Sequence, residues 1–281
     1  MKRHRVSRSR AGVGLVEILV ALTLMGIVGI TIMRTFVSQV RLADLQVKLV
    51  GARSVSRAPI NMFMSEARMV ETGSGVVAAS AYSVTLRVPI AMGIVCGTSG
   101  GSTAVSLMPV DSVVLASAAV SGHAWRQASG VYSYTEGTTT MTAGGASQCS
   151  AASITTVPGG RTVLVTPAMN AAVSAGTPAF VYQRVRYEFK ASTLLPGRTG
   201  LWRTLEASGA TEELAAPFHS TSSFRFYRQN VDTSETVVPT LTQIRGLELF
   251  LVGASERPRF GRVAAETSQL QTAVFFVNRI D

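Results

Sequence analysis

The most regular hydrophobic pattern in the chain is an apolar run close to its start. Residues 13–33 (VGLVEILVALTLMGIVGITIM) contain a single charged residue, Glu17. At 1.5 Å per residue, a helix over this run is about 31 Å long, enough to cross the hydrocarbon core of a bilayer. The pattern therefore predicts a membrane-spanning helix over residues 13–33.

A helical period of apolar positions continues beyond the membrane run, to about Ser56. The valines at 37, 40, 47 and 50 recur at spacings of three or seven residues, with polar residues between them. This spacing predicts an amphipathic extension whose apolar stripe packs on a globular head. Pro59 predicts an interruption, followed by a second helical piece from Pro59 to about Val70. Residues 34–70 thus form the predicted extension.

From residue 71 onward the pattern changes to short strands. Ser83–Val88 alternates polar and apolar positions, as a half-buried strand does. Further strands are predicted at 111–116, 132–135, 161–165, 180–190, 243–252 and 272–279, with Gly/Ser/Thr-rich loops at 97–103, 117–123 and 137–160. The expected fold class is α+β, with a long N-terminal helix packed on an antiparallel β-sheet head over residues 71–281.

The distribution of charge weakens a nucleic-acid role. The chain has a net charge of +10, which by itself is typical of nucleic-acid binding. Five basic residues, Lys2, Arg3, Arg5, Arg8 and Arg10, lie in the first 12 residues and supply half of that charge. The remaining arginines are scattered, so no nucleic-acid partner is expected. Cations before the apolar run also predict a cytoplasmic leader and an exported head.

Three interpretations of this N-terminus compete. A secretory signal peptide has a shorter apolar region and a small-residue cleavage site, whereas Arg34 directly follows this run. A generic signal anchor explains the length and the charge but gives no reason for Glu17. A carboxylate in a membrane helix costs roughly 2.5–3.5 kcal/mol at the bilayer centre, so Glu17 needs a partner.

The third interpretation rests on a resemblance. The sequence Gly-Val-Gly-Leu-Val-Glu at residues 12–17, followed by the apolar helix, resembles the processing motif of type IV prepilins and type II secretion pseudopilins. Gly26 also stands where that family commonly has glycine. The sequence departs from the family's pattern at Val13, which is more often Phe or Met, at Gly14, which is often Thr, and at Arg34, where a proline is common.

The resemblance implies a processing pathway. A prepilin peptidase would remove the leader, residues 1–12, by cutting after Gly12, and Val13 would become the N-methylated new terminus. The new α-amine would lie one helical turn before Glu17. In a filament, the ammonium of one subunit would meet the Glu17 carboxylate of the next, and such a buried pair can set the register between subunits.

The second half of the chain carries a weaker resemblance. A Tyr-rich strand over 180–189, a Gly-Leu-Trp-Arg-Thr return at 200–204, Glu-Leu-Ala at 213–215 and Phe-Arg-Phe-Tyr at 224–227 are similar in order to PilW-like minor pilins and J-type pseudopilins. This resemblance implies a β-meander in which Val185, Tyr187 and Phe189 pack on the helix. It also implies a structural subunit of the inner membrane, with its head in the periplasm, that enters a pilus or pseudopilus with other minor and major pilins.

The remaining candidate sites favour no catalytic chemistry. Cys96 and Cys149 are either a disulfide or two unrelated buried thiols, and an exported domain favours the disulfide. His123 and His219 are expected to be solvated loop residues. The acidic pairs Glu212/Glu213 and Asp232/Glu235 are too sparse for a calcium site. We therefore expect no enzyme, no metal and no cofactor; the rival function is a signal-anchored periplasmic binding or receptor domain.

Overall fold

The computed structural model describes residues 14–111, 119–170, 173–259 and 261–276. Within them lies a 53-residue helix, α1, over Leu15–Ala67, followed by a large antiparallel β-sheet. The predicted α+β class is confirmed at this level. A short helix, α2, covers Ala146–Ala151, and a 3-10 turn covers Leu241–Gln243. The cleavage junction at Gly12 and Val13 lies outside the described residues.

Thirteen strands make up the sheet in the described part of the chain. In chain order they are β1 Val76–Ser80, β2 Ser83–Ser99, β3 Ser102–Leu107, β4 Gly122–Arg126, β5 Tyr132–Glu136, β6 Thr140–Ala143, β7 Arg161–Thr166, β8 Pro178–Ala191, β9 Thr199–Leu205, β10 Ala210–Phe218, β11 Ser223–Arg228, β12 Ile244–Ala254 and β13 Thr267–Phe275.

The helix α1 is continuous through Pro59, so the predicted break there is wrong. A proline inside a helix removes one hydrogen bond and crowds the carbonyl four residues earlier, at a cost of about 3 kcal/mol. Pro59 is buried on the side of α1 that faces the sheet, where tertiary packing offsets this cost. Helix stability in proteins comes mainly from such packing rather than from propensity.

The side of α1 that contacts the head also differs from the predicted stripe. Val40, Val47 and Val50 are all more than half exposed, so their predicted contact with the head is wrong. The buried positions are instead Ala52, Ser56, Pro59, Phe63 and Ala67, again at spacings of three or four. Small residues at the start of this series allow a close approach to the sheet. Gly253 of β12 contributes to this close approach, because a Cβ there would clash with the carbonyl oxygen of Ala52.

Two long strands, β2 and β8, organise the sheet. They pair antiparallel from Ser83↔Glu188 to Ile94↔Pro178. On the outer side of β2, β1 pairs with its first half and β3 with its second half. On the outer side of β8, β4 pairs with its first half and β9 with its second half. Each long strand therefore runs through both halves of the head.

The half next to α1, here called the proximal lobe, comprises β1, β9–β13, residues 83–88 of β2 and residues 185–191 of β8. Its core joins Phe63 of α1 to Tyr187, Phe189 and Phe224 of the sheet. The predicted inward alternation of Val185, Tyr187 and Phe189 is confirmed.

The predicted β-meander holds only in part. β8, β9 and β10 are consecutive antiparallel neighbours. β11 pairs with β12 rather than β10, and β12 meets β10 only at Phe218↔Gly253. β13 then pairs antiparallel with β12, its predecessor in the chain, from Gly246↔Phe275 to Ala254↔Thr267.

The other half, here called the distal lobe, comprises β3–β7, α2, residues 89–99 of β2 and residues 178–184 of β8. Its main cluster includes Val95, Val105 and Val165, with Trp125 packed against it. Beside it, Cys96 of β2 and Cys149 of α2 are joined by a disulfide. This covalent link attaches the short helix α2 to the sheet.

Several loop predictions over this lobe are corrected. The segment 97–103 is largely strand and turns at Gly100 and Gly101, and the segment 137–160 contains β6 and α2. The segment 117–123 already enters β4 at Gly122. The strands predicted at 132–135, 161–165 and 180–190 are present, while the strand predicted at 111–116 falls mainly on residues 112–118, outside the described residues.

Candidate assembly site on the N-terminal helix

Glu17 lies in the first turn of α1. Gly14 is the N-cap residue and offers no side-chain cap. The backbone N–H groups of Glu17 and Ile18 donate to the Gly14 carbonyl at 2.9 and 3.2 Å, so the helix is fully formed at this point. A carboxylate in the first turn interacts favourably with the positive end of the helix dipole. The structure therefore places Glu17, exposed, next to the end at which the predicted new amine would lie.

The surface around Glu17 is apolar on every side of the helix. Exposed fractions of the large hydrophobic side chains between Leu15 and Phe36 range from 51% to 77%. The most apolar 18-residue window has a mean hydropathy of 2.4 and no residue buried against the rest of the chain. Fully burying one such side chain contributes roughly 1.5–3 kcal/mol, so lipid or other helices must cover this surface. By length and composition, α1 is long and apolar enough to cross a membrane.

The other polar groups of this segment are satisfied within the helix. The hydroxyls of Thr23, Thr31 and Thr35 donate to the carbonyls of Val20, Ile27 and Thr31 at 2.9, 2.9 and 3.0 Å. Glu17 cannot be satisfied in this way, because a carboxylate only accepts hydrogen bonds and the carbonyls of a helix only accept them. Glu17 is thus the one charged side chain of the run, and it needs a donor from outside.

The C-terminal part of α1 is fastened to the head by a partly buried ion pair. Glu66 accepts a hydrogen bond from Tyr187 at 2.6 Å and hydrogen bonds from the Arg203 guanidinium at 2.6 and 3.1 Å. The side chains of Glu66 and Arg203 are each 14% exposed. Burial and the neighbouring Glu66 raise the pKa of Tyr187, and the hydrogen bonds and charge of Glu66 keep Arg203 protonated by raising its pKa despite its burial. Glu212 adds a second carboxylate at 2.9 Å from Arg203.

A second polar contact joins the end of the helix region to the distal lobe. The Tyr134 hydroxyl of β5 donates to Glu71 at 3.0 Å. Arg87 of β2 lies 4.6 Å from the centre of the Tyr134 ring and pairs with Glu136. Burial raises the pKa of the Glu71 carboxyl. A displacement of the helix would disturb both lobes, since each lobe has its own polar contact with this part of the chain.

The sequence did not predict these two contacts between the helix region and the head. Glu66 had a signal, because it lies between Phe63 and Ala67, on the buried side of the helix. An acidic residue on such a side needs a cationic or donor partner. Its partner Arg203 had no comparable signal, because 137 residues separate the two along the chain.

The other predicted site residues have mixed outcomes. His123 is fully buried on β4 with Nδ1 3.0 Å from the Thr139 hydroxyl, so the prediction of a solvated loop residue is wrong. Burial lowers its pKa to about 4. His219 is exposed, as predicted. Among the described residues, no group of three or more His, Cys, Asp or Glu side chains is arranged to hold a metal.

The acidic pairs belong to local contacts of the head. Glu212 binds Arg203, and Asp232 lies 2.7 Å from Arg245. Glu213 accepts hydrogen bonds from the backbone and the hydroxyl of Thr193, both at 2.9 Å. Such hydrogen bonds stabilise the ionised form and lower the pKa of Glu213, although burial acts in the opposite direction.

Comparisons with protein-family models, with curated proteins and with solved structures find no match to this chain. The class that the described residues define is an α+β protein with a single N-terminal helix able to span a membrane. A more specific function for the protein has to be argued from the chemistry of that helix.

Proposed function

We propose that this chain is a PilW-like minor pilin, a tip or priming subunit of a type IV pilus that resides in the inner membrane before assembly. The single observation that carries the proposal is Glu17: one carboxylate on a helix segment of some 30 Å that is otherwise apolar and bare on all sides. In a filament core, neighbouring helices cover the apolar surface of α1. The α-amine at Val13 of a neighbouring subunit pairs with the Glu17 carboxylate.

The way in which α1 joins the head supports this function. Its N-terminal part is free of the head, while its C-terminal part is held by the Phe63 cluster and by the Glu66–Arg203 pair. Because α1 is continuous, a helix inserted into a filament holds its head at a fixed place on the filament surface. A signal-anchored receptor needs only a tether, and neither Glu17 nor a rigid connection is explained by that function.

The size of the head favours a position at the tip. A head of more than 200 residues (71–281) crowds the neighbours in a tightly packed helical shaft. A tip subunit has neighbours on one side only. A J-type pseudopilin of a type II secretion system uses the same helix chemistry, so the two assignments differ in the machine that the subunit joins.

The first experiment is mass analysis of the native N-terminus in cells with an active prepilin peptidase. We expect a mature chain that begins with N-methylated Val13. An intact leader, or a chain cut well beyond Met33, would contradict the proposal. Copurification with pilus rather than secretion components then separates the minor pilin from the pseudopilin.

The second experiment tests Glu17 itself. Glu17→Ala removes the carboxylate, so we expect normal leader processing but failure to enter sheared filaments. The matched control is Thr23→Val, which removes a hydroxyl that bonds only within the helix, and it should enter normally. Filament entry of Glu17→Ala at the wild-type level would refute the ion-pair account.

A further inference from the structure

The distal lobe contains a cleft that the assembly function does not use. Its volume is about 560 Å³, and one wall is formed by the end of β4 with Trp125, Arg126 and Gln127. The opposite wall includes Asn170, Ser174 and Thr177, which precede β8. Clefts of this size, with one apolar platform and a few polar groups, are typical of small-ligand sites.

Both walls are held in place by backbone contacts. The β4–β5 turn closes with hydrogen bonds from Gln127 N–H to the Val131 carbonyl at 2.8 Å and from Gly130 N–H to the Gln127 carbonyl at 2.9 Å. Opposite, Val95 of β2 bonds to Thr177 and Gly176 through its N–H at 2.9 Å and its carbonyl at 2.8 Å. The cleft is therefore preformed, and a ligand loses little affinity to ordering it.

Trp125 gives the cleft an aromatic platform that is fixed from behind. The indole packs against the Val95 cluster of the distal lobe and lies 6.0 Å, centre to centre, from the buried His123 ring. A partly exposed tryptophan held in this way offers a rigid apolar surface at low entropic cost. The C–H face of a pyranose ring is a flat apolar surface that suits such a platform.

The polar groups around the platform determine which sugar would fit. Arg126 and Asn170 carry planar groups rich in N–H donors. Gln127 Nε2 already donates to Ser133, and the hydroxyls of Ser174 and Thr177 lie 3.3 Å from each other. The described residues lining the cleft include one cation, Arg126, and no carboxylate. Arg126 donates through Nε to the Gly130 carbonyl at 3.3 Å, which orients its guanidinium at the rim. A guanidinium binds a carboxylate through two parallel hydrogen bonds.

We propose that this cleft binds an acidic sugar, a pyranose ring that carries a carboxylate, with the ring on Trp125 and the carboxylate at Arg126. The proposal does not depend on pilus assembly, since it concerns the distal lobe alone. In a subunit exposed on a cell surface, such a site would recognise acidic glycans of another cell or of a matrix.

The chain offers a direct optical test, because Trp125 and Trp202 are its two tryptophans. Trp202→Phe leaves Trp125 as the single fluorescent reporter, and Trp202 lies on β9 in the other lobe. Digalacturonate is the acidic probe, and digalactose is the neutral probe of the same ring size. With the full-length Trp202→Phe chain in detergent, digalacturonate should change the Trp125 emission saturably, with at least about tenfold weaker binding of digalactose.

Arg126→Ala in the same background is the matched variant, because its side chain is exposed and lies outside the core. It should reduce digalacturonate binding about tenfold and leave digalactose binding unchanged. A Trp125→Phe variant followed by calorimetry should retain a weakened site. Equal affinity for both sugars would overturn the acidic specificity, and the absence of any saturable response in the millimolar range would overturn the site. Binding that survives Arg126→Ala unchanged would place the ligand elsewhere and also overturn the proposal.

Discussion

The partly buried pair between Glu66 and Arg203 gives the most stringent test of how α1 is attached to the head. Arg203→Met removes the guanidinium and leaves the Glu66 carboxylate with one donor, the Tyr187 hydroxyl. Two charges about 4 Å apart at an effective dielectric constant of about 20 attract by about 4 kcal/mol, and desolvation cancels part of this. Because both side chains are 14% exposed, we expect a loss of about 3 kcal/mol in the free energy of unfolding.

A double-mutant cycle isolates the interaction. Glu66→Gln keeps an acceptor for Tyr187 and should cost about 1–2 kcal/mol, whereas adding Arg203→Met to it should cost little more. The resulting coupling should be about 2 kcal/mol, within the range measured for residues in direct contact. Urea unfolding of the full chain in detergent, followed by tryptophan emission, measures each free energy.

The matched control is Arg228→Met. Arg228 lies 3.8 Å from Glu235, and the two side chains are 46% and 37% exposed. An exposed pair of this kind contributes about 0–1 kcal/mol. If Arg203→Met costs no more than Arg228→Met, or if the coupling with Glu66 is below about 0.5 kcal/mol, the pair does not hold the helix to the head.

Three further predictions concern the head. Gly253→Ala should force the helix from the sheet and cost at least about 1–3 kcal/mol in urea unfolding, whereas Gly97→Ala, with no atom within 4 Å of its added Cβ, should leave stability nearly unchanged. Replacing Cys96 and Cys149 by Ser opens a loop of 53 residues and should cost about 4 kcal/mol in non-reducing thermal or urea unfolding; a wild-type midpoint insensitive to reduction would contradict this. Burial lowers the pKa of His123 to about 4 in the folded state, against 6.5 in the unfolded state. The neutral buried imidazole therefore contributes fully to the free energy of unfolding above pH 6.5, and this contribution is lost as the pH falls toward 4. Between pH 7.5 and 5 the wild type should lose about 2 kcal/mol more than His123→Gln, and parallel pH profiles would refute this.

The sequence predicted what depends on local periodicity. Residues 83–88 and 180–190 were identified as strands because one face of each is buried, which imposes a period of two. The course of α1 past Pro59 was missed because propensity counts only the lost hydrogen bond, while the buried packing of Pro59 and Phe63 depends on the sheet. The pairing of β2 with β8 joins residues about 100 positions apart, and no local pattern indicates it.

The candidate functional residues also divide into those that the sequence predicts and those that depend on the fold. Glu17 was found from the sequence because a charge in an apolar run is anomalous wherever the chain folds. The cleft at Trp125 could not be predicted from the sequence, because its two walls meet only after β4 pairs with β8 at Trp125↔Ala179. An isolated tryptophan in a sequence is more often a core residue than a ligand-binding residue. One side of Trp125 does pack against the core of the distal lobe.

The arrangement of polar contacts along α1 explains why one helix can serve both a membrane and a head. Its apolar run, residues 13–33, has one charged side chain, Glu17, and its last turns have Glu66, which bonds to Tyr187 and Arg203 of the head. Without its donors, a partly buried Glu66 would weaken the contact between the helix and the sheet, which the Phe63 cluster would then hold alone. In the proposed filament subunit, the head satisfies the Glu66 carboxylate, and the Glu17 carboxylate is left for a neighbouring subunit.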